Sequence, residues 1–346
     1  MKNLSKLTVI IPSMNRQKLG LSTMNYWSKF NVKLHFVDGS ENRIEDSNLS
    51  MFNENIRYHH FNIFSEIDRV KKILHLIDTK YCILGSDDDV LLPNALSKCI
   101  DVLEKENDFS CCFGQVLGFK YLDDKYMFYE NNTNLKDFSL DSDNKEDRLK
   151  KYSLKPVPFS IFSVMKSEIF KKVCDVDNFT EISYFAAFEL RANLLTTYFG
   201  KSKAISYLTL LRNKNSNPVR NRNSKNTSLF RFLFSKEKRI EKNLFISSLL
   251  KTVSKDDKNA EKIFKKALLY NLVFSFFCFF LKKIPNILFS NIKFLYKYKR
   301  KKKFKTFVNI ENLSNFCKIH RIEIFDEDLK LILEKFNKII KEAILM

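Results

Sequence analysis

The chain has 346 residues, 45% hydrophobic and 29% charged: too apolar for a disordered chain, and long enough for one large domain or two ordinary ones. Six glycines and six prolines exclude collagen-like, elastic and Pro-rich architectures. The net charge of +20 is uneven, with 26 basic and 28 acidic side chains over residues 1–200 but 34 basic against 12 acidic over 201–346, so a polyanion is expected to meet the second part.

Leu7–Ile11 is a continuous β-branched run ending at Pro12, which predicts a buried strand and a turn. A helix is expected over 16–30, a strand over Lys33–Val37 running into Asp38-Gly39-Ser40, and another over Ile56–Phe61. Apolar residues at 67, 70, 73, 74 and 77 give Ser65–Ile77 a helical period. Tyr81–Leu84 is apolar again and empties into Gly85-Ser86-Asp87-Asp88-Asp89, after which Pro93 opens a helix carrying Leu96, Ile100 and Leu103. Parallel strands with crossover helices bury that order of elements, so an α/β sheet is expected. Polar loops are expected over 122–148, a strand over Phe159–Val164 and a helix over Phe185–Tyr198. Beyond a polar, basic loop at Asn213–Thr227, long Lys/Phe/Leu-rich helical stretches follow.

In open α/β sheets, ligands bind beyond the C-terminal ends of the strands. Three polar signals fall at three such ends: Pro12-Ser13-Met14-Asn15-Arg16, Asp38-Gly39-Ser40 and Asp87-Asp88-Asp89. Carboxylates bunched at a strand end repel one another unless a cation neutralises them, and hard oxygen donors select Mg²⁺ or Mn²⁺ shared with substrate phosphates. The bland alternative for Asp87–Asp89 is an acidic turn before the helix at Pro93. No GxxxxGK[ST] or GxGxxG occurs, which makes P-loop hydrolysis and Rossmann-type dinucleotide binding poor readings.

Leu7–Arg16 (LTVIIPSMNR) resembles the opening strand and loop of family 2-like glycosyltransferases with the GT-A fold. His35–Ser40 resembles their second strand, and Tyr81–Leu96 (YCILGSDDDVLLPNAL) their DXD segment, the likeness covering roughly residues 5–215. The resemblance implies a GT-A mixed sheet flanked by helices over 1–220, followed by a mostly helical, basic, aromatic-rich region over 221–346. It implies that Pro12, Ser13 and Arg16 shape the nucleotide pocket, that Asp38 accepts from the base (usually uracil), and that Asp87, Asp88 and Asp89 serve ribose, metal and diphosphate. Aligned on Pro93, the first Asp of the common family pattern falls on Ser86; the metal is assigned to Asp88 first and Asp89 second. The general base is assigned to Glu189 in an acidic helix-opening motif, with Glu181 in reserve; the usual Asp two residues before that Glu is Ala187 here. Arg212 matches a loop that closes over the diphosphate, a role suited to bidentate phosphate contact. Asp68 and Arg69 are placed near the nucleotide. The activity implied is metal-dependent (Mg²⁺ or Mn²⁺) transfer of a sugar, by inversion, from a nucleotide donor (a UDP-sugar by family habit) to a glycan or lipid-linked acceptor in bacterial surface polysaccharide or lipopolysaccharide synthesis.

Ala267–Leu281 is an apolar run with only Asn271 and Ser275 polar, shorter than the ~20 residues that span a bilayer. Ten basic residues and no acid lie between Leu281 and Lys305. Over 263–305 this pattern suits docking on an anionic membrane surface, against the alternatives of a buried helix with a solvated lysine tract or, last, a nucleic-acid contact. Seven cysteines without a CxxC or Cys/His cluster read as reduced core residues of a cytoplasmic protein, which the 263–305 segment would hold at the inner face of the membrane. The N-terminus lacks a signal-peptide pattern. Two rivals stay open: a sugar-nucleotide nucleotidyltransferase, opposed by the lack of glycine in IPSMNR, and a non-catalytic membrane- or polyanion-binding scaffold, kept open by Ser86 and Ala187.

Overall fold

The three apolar runs that empty into polar loops each become a strand in the computed structural model. The structure describes residues 3–122, 125–130, 135, 137–154, 156–157, 160–177, 179–182, 184, 186–214, 229–253, 257–283 and 308–334. Strands β1 (Leu7–Ser13), β2 (Lys33–Asp38), β3 (Ile56–His60) and β4 (Tyr81–Leu84) run parallel in the order β3-β2-β1-β4. Helices α1 (Gln17–Trp27), α2 (Asp46–Leu49) and α3 (Glu66–Lys72) fall between them in sequence. Because β2 and β4 lie on opposite sides of β1, the chain reverses its direction across the sheet there, which opens a crevice beyond the C-terminal ends of β1 and β4.

Strand side chains alternate between two cores, as a period of two requires. Val9, Ile11, Leu34, Phe36 and Ile83 pack with Met24 and Trp27 of α1 and with Leu96, Ile100 and Leu103 of α4 (Pro93–Lys105). Ile10, Val37, Cys82 and Leu84 face the opposite core, with Val70 of α3 and with α5 (Lys145–Leu154), α6 (Ser167–Cys174) and α7 (Ala187–Phe199). Between those helices the sheet continues through β5 (Val90–Leu91), β6 (Phe109–Leu122), β7 (Lys125–Glu130), β8 (Ser139–Leu140), β9 (Val164–Lys166) and β10 (Lys201–Asn213). β9 lies antiparallel between β4 and β6, which makes the sheet mixed; β10 runs parallel to β6 with register shifts and antiparallel to β5.

The C-terminal region is mostly helical: α8 (Leu229–Phe234), α9 (Arg239–Leu250), α10 (Ala260–Lys283), α11 (Leu313–Ile319) and α12 (326–334), with β11 (Val308–Asn309) pairing antiparallel to β7. Phe232, Phe245, Ile263 and Phe264 enter the same core as Ile10 and Val37. Leu313, Phe316 and Ile332 form a third core with Val90, Leu117 and Leu208. Described segments on both sides of residue 220 thus share cores.

Three local expectations are corrected. Phe159–Val164 is not a strand: Ser160–Phe162 is a 3₁₀ turn, held by the Ser163 hydroxyl donating to Ser160 O at 2.8 Å, and the strand starts at Val164. Residues 122–148 are not simply loop, because β7, β8 and the start of α5 lie there and Tyr126 and Phe128 are buried. The helix expected over Ser65–Ile77 stops at Lys72, where Ile73 leaves helical geometry and a 3₁₀ turn, Leu74–Leu76, follows. Among the described residues no helix is long and apolar enough to cross a membrane. Cys82, Cys99, Cys111, Cys112, Cys174 and Cys317 are buried and free. Most of the loop at Asn213–Thr227 and the lysine tract beyond 283 lie outside the described residues.

Candidate active site

The β1–β4 crevice gathers the polar strand ends. Ser13 closes β1 and pairs in register with Asp38, while Gly85 N–H donates to Ile10 O at 2.8 Å and sets the segment after β4 beside β1. Ser13 Oγ donates to Asp87 Oδ2 at 2.6 Å. Arg16 Nη1 reaches Asp87 Oδ1 at 2.9 Å and Asp88 Oδ2 at 3.0 Å, so one cation bridges two carboxylates. The loop between Ser13 and Arg16 is tied to the end of β2: Asn15 takes a left-handed φ of 57°, which Asn tolerates, and its N–H donates to Ser40 Oγ at 2.8 Å. Helix α1 fixes the acidic loop from behind, with Thr23 Oγ1 donating to Asp87 O and Tyr26 Oη to Leu91 O, both at 2.9 Å. Pro12, buried within β1, shapes this wall.

The three aspartates are not equivalent. Asp87 is buried, and burial followed by the charge of Asp88 pushes its pKa up, against the pull of Arg16 and Ser13. Asp88 is less buried and accepts from Ser86 Oγ at 2.5 Å as well as from Arg16. Asp89 is buried beneath the end of β10, where Asn213 N–H donates to its Oδ1 at 2.8 Å. Burial and the Asp88 charge push Asp89 up to about 7, opposed by that N–H and by the charges of Arg212 and Lys214. Arg212 is thereby placed on the Asp89 side of the crevice, its guanidinium 5.1 Å from the centre of the Phe162 ring.

Asp38 is buried and occupied within the protein. Its Oδ1 accepts from Ser40 N–H at 2.8 Å and Ser40 O–H at 2.5 Å, and its Oδ2 from Tyr58 O–H at 2.8 Å. As it stands, Asp38 ties the end of β2 to β3. Beside it Arg69 is buried, with Nη1 donating to Ile63 O at 2.5 Å and Phe64 O at 3.0 Å, while its Nε finds no partner among the described residues. A Cβ on Gly39 would stand 2.1 Å from Arg69 Nη1, so a larger residue there would push this guanidinium off the β2 end. Burial lowers the Arg69 pKa, opposed by the charges of Glu66, Asp38 and Asp87. Asp68 is half-buried at the third position of α3, and its N–H is capped by Ser65 Oγ at 3.2 Å. Among the described residues no interaction joins the Asp68 side chain to the strand-end carboxylates; its neighbour Arg69 is the one turned toward them.

The far wall comes from α3 and α7. Glu189 lies in the first turn of α7 and is half-buried. The charges of Asp87, Asp88 and Glu189, opposed by that of Arg69, act on Glu66, whose side chain at the start of α3 is exposed. Glu66 and Glu189 thus lie within electrostatic reach of the strand-end aspartates. Burial first, and then Glu189, also raises Tyr152 and Tyr184. Glu181 ends a 3₁₀ turn, Phe179–Glu181, and is exposed, with no described link to this cluster. Arg191 does not pair with Glu189: it is fully buried and fastens α7 to α6 and α9 through Val173 O, Ser248 and Thr252.

Glu66, Tyr58, Thr23 and Asn213 escaped the sequence reading. Only Glu66 carried a local signal, the first helical position after a Ser cap. Among the described residues no three His, Cys, Asp or Glu side chains converge on a metal position. What the chain offers is the adjacent pair Asp88 and Asp89, the one- or two-carboxylate set with which Mg²⁺ is held when substrate phosphates complete its shell. That donor set fits a divalent ion shared with substrate, provided Arg16 gives up Asp88.

No protein-family model matches the chain, and no curated protein sequence matches it. Solved structures similar to it include S. aureus TarS, at 10% identity and a TM-score of 0.47 over 77% of this chain and 53% of that one. S. aureus TarS 1-349 in complex with UDP-GlcNAc is 12% identical, with a TM-score of 0.48 over 81% of this chain and 76% of that one. The bifunctional IspDF from Campylobacter jejuni is 15% identical, with a TM-score of 0.33 over 57% of this chain and 49% of that one. The chain thus spans about half the length of the first TarS structure.

Proposed function

We propose that the chain is a GT-A-type glycosyltransferase that moves a sugar from a nucleotide-diphosphate donor, a UDP-sugar first, to a glycan or lipid-linked acceptor; surface-polysaccharide assembly is the setting this reading implies. The observation that supports it best is the meeting of Ser13, Arg16 and Asp87–Asp89 beyond β1 and β4, with the end of β10 closing over Asp89. The base and ribose lie towards Asp38, Arg69 and Asp87, and the diphosphate between Asp88, Asp89 and Arg212. A divalent ion held by Asp88 and Asp89 would supply neutralising charge to the departing phosphate oxygens. Arg16 then turns from Asp88 to the donor, and Arg212 adds a second cation on the phosphate side. On the opposite wall Glu189 takes the acceptor hydroxyl proton as that oxygen bonds to the anomeric carbon; the bond to the diphosphate breaks and the nucleoside diphosphate leaves with the electron pair, inverting the centre.

The acid–base role is tested by following sugar release and transfer from UDP-, GDP-, CMP- and TDP-sugars, UDP-GlcNAc among them, with Mg²⁺ or Mn²⁺. Glu189→Gln is expected to keep donor affinity and lose turnover by about 10²-fold or more. Unchanged turnover would remove Glu189 from the mechanism and bring Glu181 forward. One observation favours a non-catalytic scaffold instead: Arg16 already pairs with both Asp87 and Asp88. That reading predicts no sugar release from any donor.

A further inference from the structure

Helix α10 is apolar on two faces, and among the described residues only one of them is covered. Ile263, Phe264, Ala267, Leu268 and Leu272 are buried in the core shared with α5, α7 and α9. At 100° per residue, Lys262, Lys265, Lys266, Leu269, Val273 and Phe277 fall on the other side. There Leu269, Val273 and Phe277 are 54%, 55% and 47% exposed, and the three lysines are exposed as well. Beside this stripe a cavity of about 880 Å³ opens between α8, α9 and α10, with Ile246, Leu250 and Leu268 as its floor and Lys242, Lys251 and Lys265 at its edge. Leu269 and Lys265 belong to both features, so groove and stripe form one surface.

We propose that this α9–α10 surface docks on an anionic phospholipid bilayer. An exposed apolar stripe of this size on a helix already anchored in the core marks a contact surface, and the surrounding charge selects the partner. Residues 229–283, the segment that builds this surface, carry 13 basic against 5 acidic side chains, which opposes self-association of this face and favours an anionic surface. Glu261 and Glu146 meet Lys265 and Lys266 at 2.6 and 3.5 Å, but such exposed pairs hold little energy and leave the surface cationic. Leu269, Val273 and Phe277 would enter the interfacial layer while Lys251, Lys262 and Lys265 meet headgroup phosphates.

The proposal stands apart from the donor chemistry and is tested without it. Sedimentation of the full chain with vesicles of phosphatidylcholine alone, or with phosphatidylglycerol added, reads partitioning directly. Binding is expected only with phosphatidylglycerol and is expected to weaken with salt. Leu269→Ser/Val273→Ser should lower it by about tenfold or more, and Lys251→Gln/Lys262→Gln by about 25-fold at a tenth-molar salt or below. These positions are exposed, and circular dichroism checks that the variants keep their fold. Binding to neither vesicle, or equal binding by the variants and the wild type, would overturn the proposal. So would light scattering showing a wild-type oligomer that Leu269→Ser/Val273→Ser dissolves, since the face would then join copies of the chain.

Discussion

His35 and His59 sit on neighbouring strands with rings stacked 5.0 Å apart and Nδ1 of one 2.8 Å from Nε2 of the other. His35 is almost wholly buried, and burial, with the charge of His59 next, lowers its pKa from 6.5 to about 4. The folded pair resists protonation that the unfolded chain accepts, so below pH 6.5 the unfolded state binds more protons. Stability should therefore be flat above that pH and fall as the pH drops towards 4, by about 3 kcal/mol in all. Urea unfolding of wild type and His35→Gln across this range checks it: the variant is expected to lose most of the slope. A slope unchanged in His35→Gln would place the acid sensitivity elsewhere. The pair lies within strands β2 and β3 and, among the described residues, its rings make no hydrogen bond to Asp38, so this is a stability effect and is expected to leave donor specificity alone.

At the scale of elements, α4 directly follows the acidic loop and is capped from far along the chain. Asp328, fully buried in α12, accepts from Asn94 N–H and Ala95 N–H at 3.2 Å and from Asn94 Nδ2 at 2.9 Å. Helix N-termini leave backbone donors that a carboxylate satisfies, and here burial makes the partner more valuable. Asp328→Ala is expected to cost about 2 kcal/mol in urea unfolding, and Asp328→Asn clearly less, because its amide oxygen still accepts. Equal losses in the two variants would show that the cap hydrogen bonds do not matter. This contact also explains what the sequence could not disclose. β1, β2 and β4 were legible because each is a short apolar run ending in polar residues, and the same ends exposed Ser13, Arg16 and Asp87–Asp89. Asp328, Asn213 and Tyr58 act across strand or helix contacts, the first at a separation of 234 residues from Asn94, and nothing in their local sequence marks them. Asp68 and Arg69 show a finer limit: both were singled out, yet which neighbour turns inward depends on the phase of α3 against the sheet. The β6–β7 hairpin was missed because its polar surroundings suggested loop, whereas Tyr126 and Phe128 alternate into a core completed only by β11 and α11.

Over the whole molecule, the mixed sheet gives the crevice one wall of parallel strand ends and another of helix starts. The C-terminal segment holds both ends of that arrangement. Glu323 exchanges backbone hydrogen bonds with Ser206 and Leu208 of β10, and Tyr207 stacks on Phe325 at 4.6 Å, so the strand that ends over Asp89 is braced by residues beyond 308. α9 and α10 close the opposite side behind Glu189 and leave the lysine-edged face of α10 turned outward. Crevice and outward surface are thus built on the same framework but from different residues, and each is expected to be open to substitution without the other.

In the proposed function, the β1–β4 crevice takes a nucleotide sugar through a divalent ion at Asp88. Calorimetric titration of UDP-GlcNAc and the other sugar nucleotides into the full chain, with and without Mn²⁺, for wild type and Asp88→Ala, tests it most directly. Binding of at least one donor is expected only with Mn²⁺, weakened about 100-fold or more by Asp88→Ala. Metal-independent binding that Asp88→Ala leaves intact, or no binding of any donor, would contradict it.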